Sequence, residues 1–138
     1  MFKKIMVAFD GSDHALKAFA AGLDLAGKYG ASLDVVMVAH LPDYAGSMGE
    51  VEDIKAQAQA FYDKSLAKIK PALDRENVTA HLLFGHVGQT LVRYADENKA
   101  DLIVVGARGL SRLQQLVIGS VSQFVTKHAH CPVLMIKG

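Results

Sequence analysis

Glycines at a fixed spacing stand in the second half of the chain and could bind phosphate groups. Within DLIVVGARGLSRLQQLVIGSVSQ, which covers residues 101–123, the pattern is Gly-x2-Gly-x9-Gly-Ser. Glycine leaves backbone N–H groups accessible, and the start of a helix adds the positive end of its dipole, so such a loop suits a phosphate chain. The pattern is neither a Walker A loop nor a Rossmann fingerprint, whose glycines share one tight turn. Its members are Gly106, Gly109, Gly119 and Ser120.

A strand before the glycines and a helix after them must position this loop. Residues 102–105 are continuously apolar, which is typical of a strand buried on both faces. Residues 121–130 carry apolar side chains at helical spacing, and Ser120 is the predicted N-cap of that helix. Glycines after strands and before helices also serve simple turns and caps, so a purely structural role stays open for each of them.

The whole chain alternates between apolar runs of strand length and helical patterns. This alternation predicts a single α/β domain with an open, parallel, five-stranded sheet and helices on both faces, a Rossmann-like architecture. If the chain winds one way for three strands and then back, the strand order is 3-2-1-4-5. The predicted strands cover residues 4–9, 33–39, 78–84, 102–105 and 133–137, and the predicted helices cover residues 14–29, 50–76, 89–98 and 121–130.

Two segments carry more detailed expectations. Residues 40–49 contain one proline and two glycines and have no periodicity, which predicts a surface loop. The helix over residues 50–76 is expected to kink or stop near Lys70, because Pro71 follows. Its predicted buried stripe consists of Ile54, Ala58, Phe61, Leu66, Ile69 and Leu73.

The predicted strand order brings two separate parts of the sequence to one crevice. Ligands of doubly wound folds bind where the order reverses, outside the carboxyl ends of the strands, and Asp10 and Gly106 follow the two strands concerned. A carboxylate beside phosphates needs a cation between them, so Asp10 is the candidate Mg²⁺ ligand, directly or through water. The alternative for Asp10 is a turn-capping carboxylate. Arg108 could reach phosphates, although loop arginines are commonly only solvated.

The glycine pattern, the opening KKIMVAFDGS and the closing CPVLMIK resemble the ATP-binding subgroup of the universal stress protein family, along essentially the whole chain. The resemblance implies one domain over residues 1–138, a fold similar to that of the adenine nucleotide alpha hydrolases, and a backbone contact with adenine near Val38. Many members carry a proline soon after the glycine that matches Gly85, where this chain has Val87 and Gly88. Topology and resemblance together predict a nucleotide site formed by Ala8, Phe9, Asp10, Val38, Val105, Gly106, Arg108, Gly109, Gly119, Ser120, Val121 and Ser122.

Composition limits the classes of partner. The 138 residues are 51% hydrophobic, and 15 basic against 14 acidic residues leave a net charge of +1. Without a block of like charge, neither nucleic acid nor an anionic membrane is an expected partner. No apolar stretch suits a signal peptide or membrane span, so a cytoplasmic protein is expected.

The remaining candidate residues for chemistry are a cysteine and two histidines. Cys131 is expected to be an inert buried thiol. The side chains of His128 and His130 would point about 200° apart on a helix, which does not suit joint metal ligation.

Two classes of function fit these observations. The first is an ATP-binding regulatory module, which by its resemblance to the family would control a partner such as a transporter, a sensor or an enzyme. The second is an enzyme that slowly hydrolyses ATP or transfers its adenylyl group. In-line attack needs a positioned base, and no clear base stands near the glycines, so no catalytic residue is assigned. A phospho-acceptor receiver domain is rejected because Phe84 and Gly85 stand where that chemistry needs an acidic residue.

The last predicted strand, from Val133 to Lys137, is a candidate dimer interface. It is apolar up to Ile136 and lies at a sheet edge in the predicted order, where unpaired backbone groups invite another strand. Antiparallel pairing about a two-fold axis would give a homodimer, which the family resemblance also implies. With nucleotide bound, the loop over residues 110–118 could support a tetramer or a larger assembly.

Overall fold

The computed structural model describes residues 1–41, 46–107 and 120–137. It contains one five-stranded sheet of order β3-β2-β1-β4-β5, and every neighbouring pair of strands is parallel. The predicted α/β fold and strand order are confirmed. None of the helices within these residues is long and apolar enough to cross a membrane. The elements are β1 (Lys4–Ala8), α1 (Asp13–Tyr29), β2 (Ser32–His40), α2 (Met48–Ala67), α3 (Lys70–Leu73), β3 (Val78–Gly85), α4 (Val87–Glu97), β4 (Leu102–Ala107), α5 (Ser120–His128) and β5 (Val133–Lys137).

The central strand β1 is buried on both faces. Successive side chains alternate across a strand, so Ile5 and Val7 pack into the core beneath α1, while Met6 packs into the core beneath α4 and α5. All three side chains are at most 1% exposed. This is the burial expected of a parallel sheet covered by helices on both sides.

Helix α1 is fixed at both ends and in its middle. The Ser12 side chain caps its start by accepting a hydrogen bond from the N–H of Ala15, and Gly30 closes it in the left-handed conformation at φ 64°. The closing glycine is the one predicted from the sequence. A Cβ built on Gly22 would lie 2.6 Å from Cγ2 of Val7. The helix therefore packs closer to β1 than a larger residue would allow.

A polar cluster around the buried Asp34 joins β2, β3 and α4. Asp34 is 7% exposed and accepts hydrogen bonds from Oγ1 of Thr79 at 2.9 Å and from the hydroxyl of Tyr94 at 3.0 Å. Nζ of Lys4 lies 3.7 Å from the same carboxylate, so this buried charge has the partners that burial demands. Burial and the neighbouring Asp34 carboxylate raise the pKa of Tyr94 to about 12. The phenol therefore keeps its proton at neutral pH and anchors α4 to the sheet.

The segment between β2 and α2 is shorter than predicted. Strand β2 extends to His40, and α2 already begins at Met48, where the Ser47 side chain caps it. Residues 42–45 lie outside the described part of the chain. The loop predicted over residues 40–49 is wrong at both ends, because pairing with β3 and a serine cap extend the regular elements into it.

Helix α2 stops near the predicted position but buries a different set of side chains. It ends at Ala67, and α3 begins at Lys70, which confirms the early stop. Phe61, predicted to be buried, is 55% exposed, whereas Tyr62 packs against the core and Ser65 is 2% exposed. The pattern misplaced the stripe because a serine carries no apolar signal. The other predicted members are buried or half-buried: Ile54, Ala58, Leu66, Ile69 and Leu73.

Four further element ends differ from the prediction. Strand β4 runs through Gly106 to Ala107, so the first glycine of the pattern lies within the strand and does not end it. Ser120 belongs to α5 itself and is not its N-cap, and this helix ends at His128, earlier than predicted. Helix α4 starts at Val87, ahead of its predicted start. Backbone pairing, which apolar patterns report only indirectly, sets these ends.

Two glycines of α1 form a matched pair for testing how closely the helix packs. Gly22→Ala would place a methyl group 2.6 Å from Cγ2 of the fully buried Val7, so we expect the free energy of unfolding to fall. Overpacking of this kind costs about 1–3 kcal/mol. Gly27 has no atom within 4 Å of an added Cβ, so Gly27→Ala should raise the same free energy by about 0.5–1 kcal/mol. Urea unfolding measures both, and equal effects would contradict the close packing of α1 on β1.

Candidate functional site

A crevice opens at the carboxyl edge of the sheet, where the strand order reverses between β1 and β4. Its described walls enclose a volume of about 150 Å³. Ligands of doubly wound folds bind at this position. The predicted site residues that line it are Ala8, Phe9, Asp10, Val38, Val105, Gly106, Ser120, Val121 and Ser122. The lining residues that sequence reasoning missed are His14, Ala15, Val36, Val87 and Leu91.

Part of the predicted site lies outside the described residues. Arg108, Gly109 and Gly119 belong to the range 108–119, which is not described. The same holds for the loop over residues 110–118. The contacts expected of these residues stay predictions.

One wall of the crevice is aliphatic. Strand β2 supplies Val36 and Val38, and α4 supplies Val87 and Leu91, which stand four residues apart and so share one face of the helix. Val36 is fully buried and Leu91 is 2% exposed, which makes the wall rigid. Such a surface suits a flat ring such as a nucleobase. Val87 was missed because the predicted start of α4 was too late.

Asp10 stands two residues after the end of β1, is exposed, and lines the crevice. Its Oδ1 accepts hydrogen bonds from the backbone N–H of Ser12 at 3.0 Å and from the Ser12 hydroxyl. This is the turn-capping role that the sequence left open. Within the described residues, Oδ2 has no hydrogen-bond partner. One oxygen therefore holds the turn while the other is available to a cation.

His14 lies in the first turn of α1 and lines the crevice. Its Nε2 lies 3.1 Å from Oγ of Ser12. Because the Ser12 hydroxyl has a single proton and donates it to Oδ1 of Asp10, the contact with His14 requires the tautomer whose proton is on Nε2. A chain of hydrogen bonds thus runs from His14 through Ser12 to Asp10. Sequence reasoning missed this residue, because a lone histidine in a first helical turn has no diagnostic spacing.

Gly106 packs against the start of α1 as well as lining the crevice. A Cβ built on Gly106 would overlap the backbone carbonyl group of His14. Only glycine lets the end of β4 and the first turn of α1 lie in direct contact. Gly106 therefore has the structural role that stayed open for each glycine of the pattern.

The loop that carries Asp10 is held by a helix outside the crevice. Gly11 is buried at φ 79°, and a Cβ added there would meet Oγ of Ser65 in α2 at 2.5 Å. Nζ of Lys68, at the end of the same helix, donates a hydrogen bond of 2.6 Å to the Gly11 carbonyl oxygen. The position of the Asp10 carboxylate thus depends on α2.

The start of α5 forms another side of the crevice. Ser120, Val121 and Ser122 line it, and Ser122 is 7% exposed. Helix α5 is seated closely on α4, because a Cβ added to Gly88 would lie 2.8 Å from Cδ1 of Phe124. The first N–H groups of a helix have no partners within it, so this end of α5 can take an anion.

The donors in the crevice suit a magnesium ion that arrives with its ligand. The described residues contain no group of three or more His, Cys, Asp and Glu side chains that could hold a metal. A structural zinc site needs such a group. Magnesium is commonly held by one or two carboxylates together with phosphate oxygens and water, and Asp10 supplies one carboxylate.

Comparison with known proteins decides the family. The family model described as the universal stress protein family matches residues 1–137. The chain belongs to the universal stress protein family. A universal stress protein of Thermus aquaticus is 40% identical over 139 residues, which cover 99% of this chain and all 100% of that relative. The family predicted from the glycine pattern and the two chain ends is confirmed.

Solved structures of universal stress proteins share the fold. UspA of Lactobacillus plantarum has a TM-score of 0.82 and 24% identity, with 99% of this chain and 98% of that chain covered. A universal stress protein in complex with cAMP has a TM-score of 0.73 and 25% identity, with 98% and 97% covered. The first likeness concerns the fold alone, and the second comes from a relative that binds an adenine nucleotide.

The contact between Gly106 and His14 makes a prediction for the protein without any ligand. Gly106→Ala would push the end of β4 away from the first turn of α1, so we expect the free energy of unfolding to fall by about 1–3 kcal/mol. Amide hydrogen exchange in that turn should accelerate. Gly27→Ala, which meets no atom within 4 Å, is the matched control. A Gly106→Ala protein as stable as its parent would show that this glycine serves only the ligand.

Proposed function

We propose that this protein binds ATP with Mg²⁺ in the crevice between β1 and β4 and acts as a nucleotide-dependent regulatory module in the stress response. The proposal depends on one observation: an aliphatic wall, a helix start and an exposed carboxylate face the same crevice. The wall suits the base and the helix start suits phosphates. The relative in complex with cAMP supports an adenine nucleotide as the ligand.

The site residues have separate roles in this proposal. Adenine lies beside Ala8, Phe9, Val38 and Val105, with a backbone contact near Val38. The phosphates and ribose lie at the glycine pattern and at the start of α5. Asp10 holds Mg²⁺, because a carboxylate beside a triphosphate is repelled unless a cation intervenes. The residues proposed for the phosphates and ribose are Gly106, Arg108, Gly109, Gly119, Ser120, Val121 and Ser122.

A slow ATPase or adenylyl-transferring enzyme is the second candidate. Such chemistry needs a base within reach of the attacking group. Among the described lining residues, His14 is the one imidazole, and because its Nε2 donates to Ser12, Nδ1 is the nitrogen that could act as a base.

The proposal names the regulated partner only as a class of protein. By likeness to the family, nucleotide occupancy would set the conformation or assembly of the protein and so control a transporter or a sensor. The expected cytoplasmic location is part of the same proposal.

Homodimerisation through β5 is a further part of the proposed function. Strand β5 pairs with β4 on one side and forms one edge of the sheet. Leu134 is 36% exposed. An open edge with apolar side chains invites another strand, and antiparallel pairing about a two-fold axis would satisfy both copies. A nucleotide-dependent tetramer would also involve residues 110–118.

ATP with Mg²⁺ should raise the melting temperature of nucleotide-free protein. A ligand that binds only the folded state at a hundred times its Kd adds about 2.7 kcal/mol, which for a chain of this size is roughly 10 °C. A thermal-shift titration with millimolar Mg-ATP measures this. An unchanged melting temperature would rule out the proposed ligand.

The variant Asp10→Asn tests the proposed magnesium site in the same thermal-shift titration. The amide oxygen can still accept the Ser12 N–H bond that holds the turn, while the negative charge is lost. We expect the variant to fold normally and to lose most of the extra stabilisation that magnesium gives over ATP alone. An undiminished magnesium effect would remove Asp10 as the metal ligand.

Met135→Pro tests the β5 interface. The Pro132 carbonyl accepts a hydrogen bond from Ile103 of β4, and backbone groups alternate along a strand, so the N–H of Leu134 points to β4 and that of Met135 to the open edge. Proline at Met135 removes an edge donor and spares the β4 pairing. Met135→Ala, which shortens the side chain but keeps the N–H, is the control.

Light scattering at micromolar concentration decides the outcome. We expect about twice the 14.8 kDa chain mass for the parent and for Met135→Ala, and the monomer mass for Met135→Pro. A monomeric parent, or a dimer that tolerates the proline, would exclude this interface.

A further inference from the structure

The turn between β1 and α1 is clamped at a single peptide unit. The carbonyl oxygen of Gly11 and the N–H of Ser12 belong to the same peptide plane, and in a trans peptide they point in opposite directions. Nζ of Lys68 donates a hydrogen bond of 2.6 Å to that carbonyl oxygen, while the N–H donates one of 3.0 Å to Oδ1 of Asp10. The orientation of this plane is therefore fixed from both sides, by a lysine on one and by the candidate metal ligand on the other.

Lys68 reaches this turn from outside the crevice. It directly follows α2, stands 57 residues from Gly11 in the sequence, and is not among the described lining residues of the crevice. Within the described part of the chain, it is the one residue outside the turn and α1 that hydrogen-bonds to residues 10–12. Apart from the long-range effect of its charge, Lys68 can therefore act on a bound ligand only through the turn.

The turn needs such an external contact. Glycine has the widest choice of backbone conformations, so a turn built on Gly11 at φ 79° is held in one conformation by its surroundings. An amide whose oxygen accepts a hydrogen bond is also a stronger N–H donor, because bonds in a chain polarise one another. The Lys68 contact thus strengthens the bond that holds Oδ1 of Asp10 in the turn and leaves Oδ2 for a cation.

We propose that Lys68 is a positioning residue of the magnesium site, which holds the peptide plane between Gly11 and Ser12 and so orients the carboxylate of Asp10 for the cation. The inference rests on the proposed binding of ATP with Mg²⁺, and it names a residue outside the crevice on which the magnesium-dependent part of that binding depends. Groups that orient a metal ligand matter for affinity, and their loss typically weakens metal binding by about 10–100-fold.

Isothermal titration calorimetry of nucleotide-free protein with ATP, once in excess Mg²⁺ and once in EDTA, tests this proposal. The ratio of the dissociation constant in EDTA to that in Mg²⁺ is the magnesium increment. Lys68→Met keeps an unbranched side chain and removes the ammonium group, so we expect the increment to fall by about tenfold. Loss of the positive charge alone would raise the increment, because the ammonium repels a cation at Asp10. A fall therefore reports positioning and not charge.

Three further variants keep the test decisive. Lys68→Arg retains a charged donor and should restore most of the increment. Lys64→Met removes the same charge from an exposed lysine one turn earlier in α2, and should leave the increment unchanged within about twofold, as for an ordinary surface substitution. If Lys68→Met does not fold, Lys68→Ala removes the same hydrogen bond and decides the question.

A double variant tests whether Lys68 acts through the carboxylate. Asp10→Asn already removes the charge of the proposed metal ligand, so adding Lys68→Met to it should lower the increment no further. If Lys68→Met costs as much in the Asp10→Asn protein as in the parent, the two residues act independently and the positioning role is wrong.

The outcomes separate this inference from the proposed function. A parent protein that does not bind ATP would refute the proposed function, and one that binds ATP without a magnesium increment would refute the proposed magnesium site. Either result refutes the role of Lys68 as well. If the parent shows the increment and Lys68→Met keeps it, only the role of Lys68 fails. A fall that Lys64→Met reproduces would also overturn that role, because loss of any charge from this end of α2 would then suffice.

Discussion

The backbone contact between the end of β4 and the first turn of α1 is the constraint on which the crevice depends. Because Gly106 has no side chain, the His14 carbonyl can lie against it. This contact fixes where α1 begins relative to β4, and therefore where the Ser12 cap and the imidazole stand. A side chain at this position would separate the two elements at the base of the crevice. The site is thus set by a packing requirement before any ligand is considered.

Packing farther away maintains that contact. Gly22 lets α1 lie directly on Val7 of the central strand, which is buried on both faces. Protein interiors are packed as densely as organic crystals and therefore transmit small displacements. A shift of α1 on the sheet would thus also move the first turn of this helix. Lys68 and Ser65 hold the loop before α1 from the other side. Through these two residues, a movement of α2 would be felt at the turn that carries the carboxylate of the site.

The strand order could be predicted because a doubly covered parallel sheet leaves continuous apolar runs, as in β1 and β4, and winding rules limit the order. The place of the crevice followed from that order. The packing role of Gly106 could not be predicted, since only the register of β4 against β1 and α1 brings His14 beside it. The exposure of Phe61 was missed for a similar reason. The rotation of α2 about its axis is set by Ser65 against Gly11, a contact without an apolar signal.

A chain of hydrogen bonds orders the polar end of the crevice. His14 donates to Ser12 and Ser12 donates to Asp10, so the protons of this chain are already engaged. Among the described residues, these hydrogen bonds leave Oδ2 of Asp10, which can attract a cation, and Nδ1 of His14, which in this tautomer is a hydrogen-bond acceptor. Because one serine hydroxyl links Asp10 and His14, a shift of either side chain displaces the other. The two groups therefore act on a ligand in this crevice as one positioned unit.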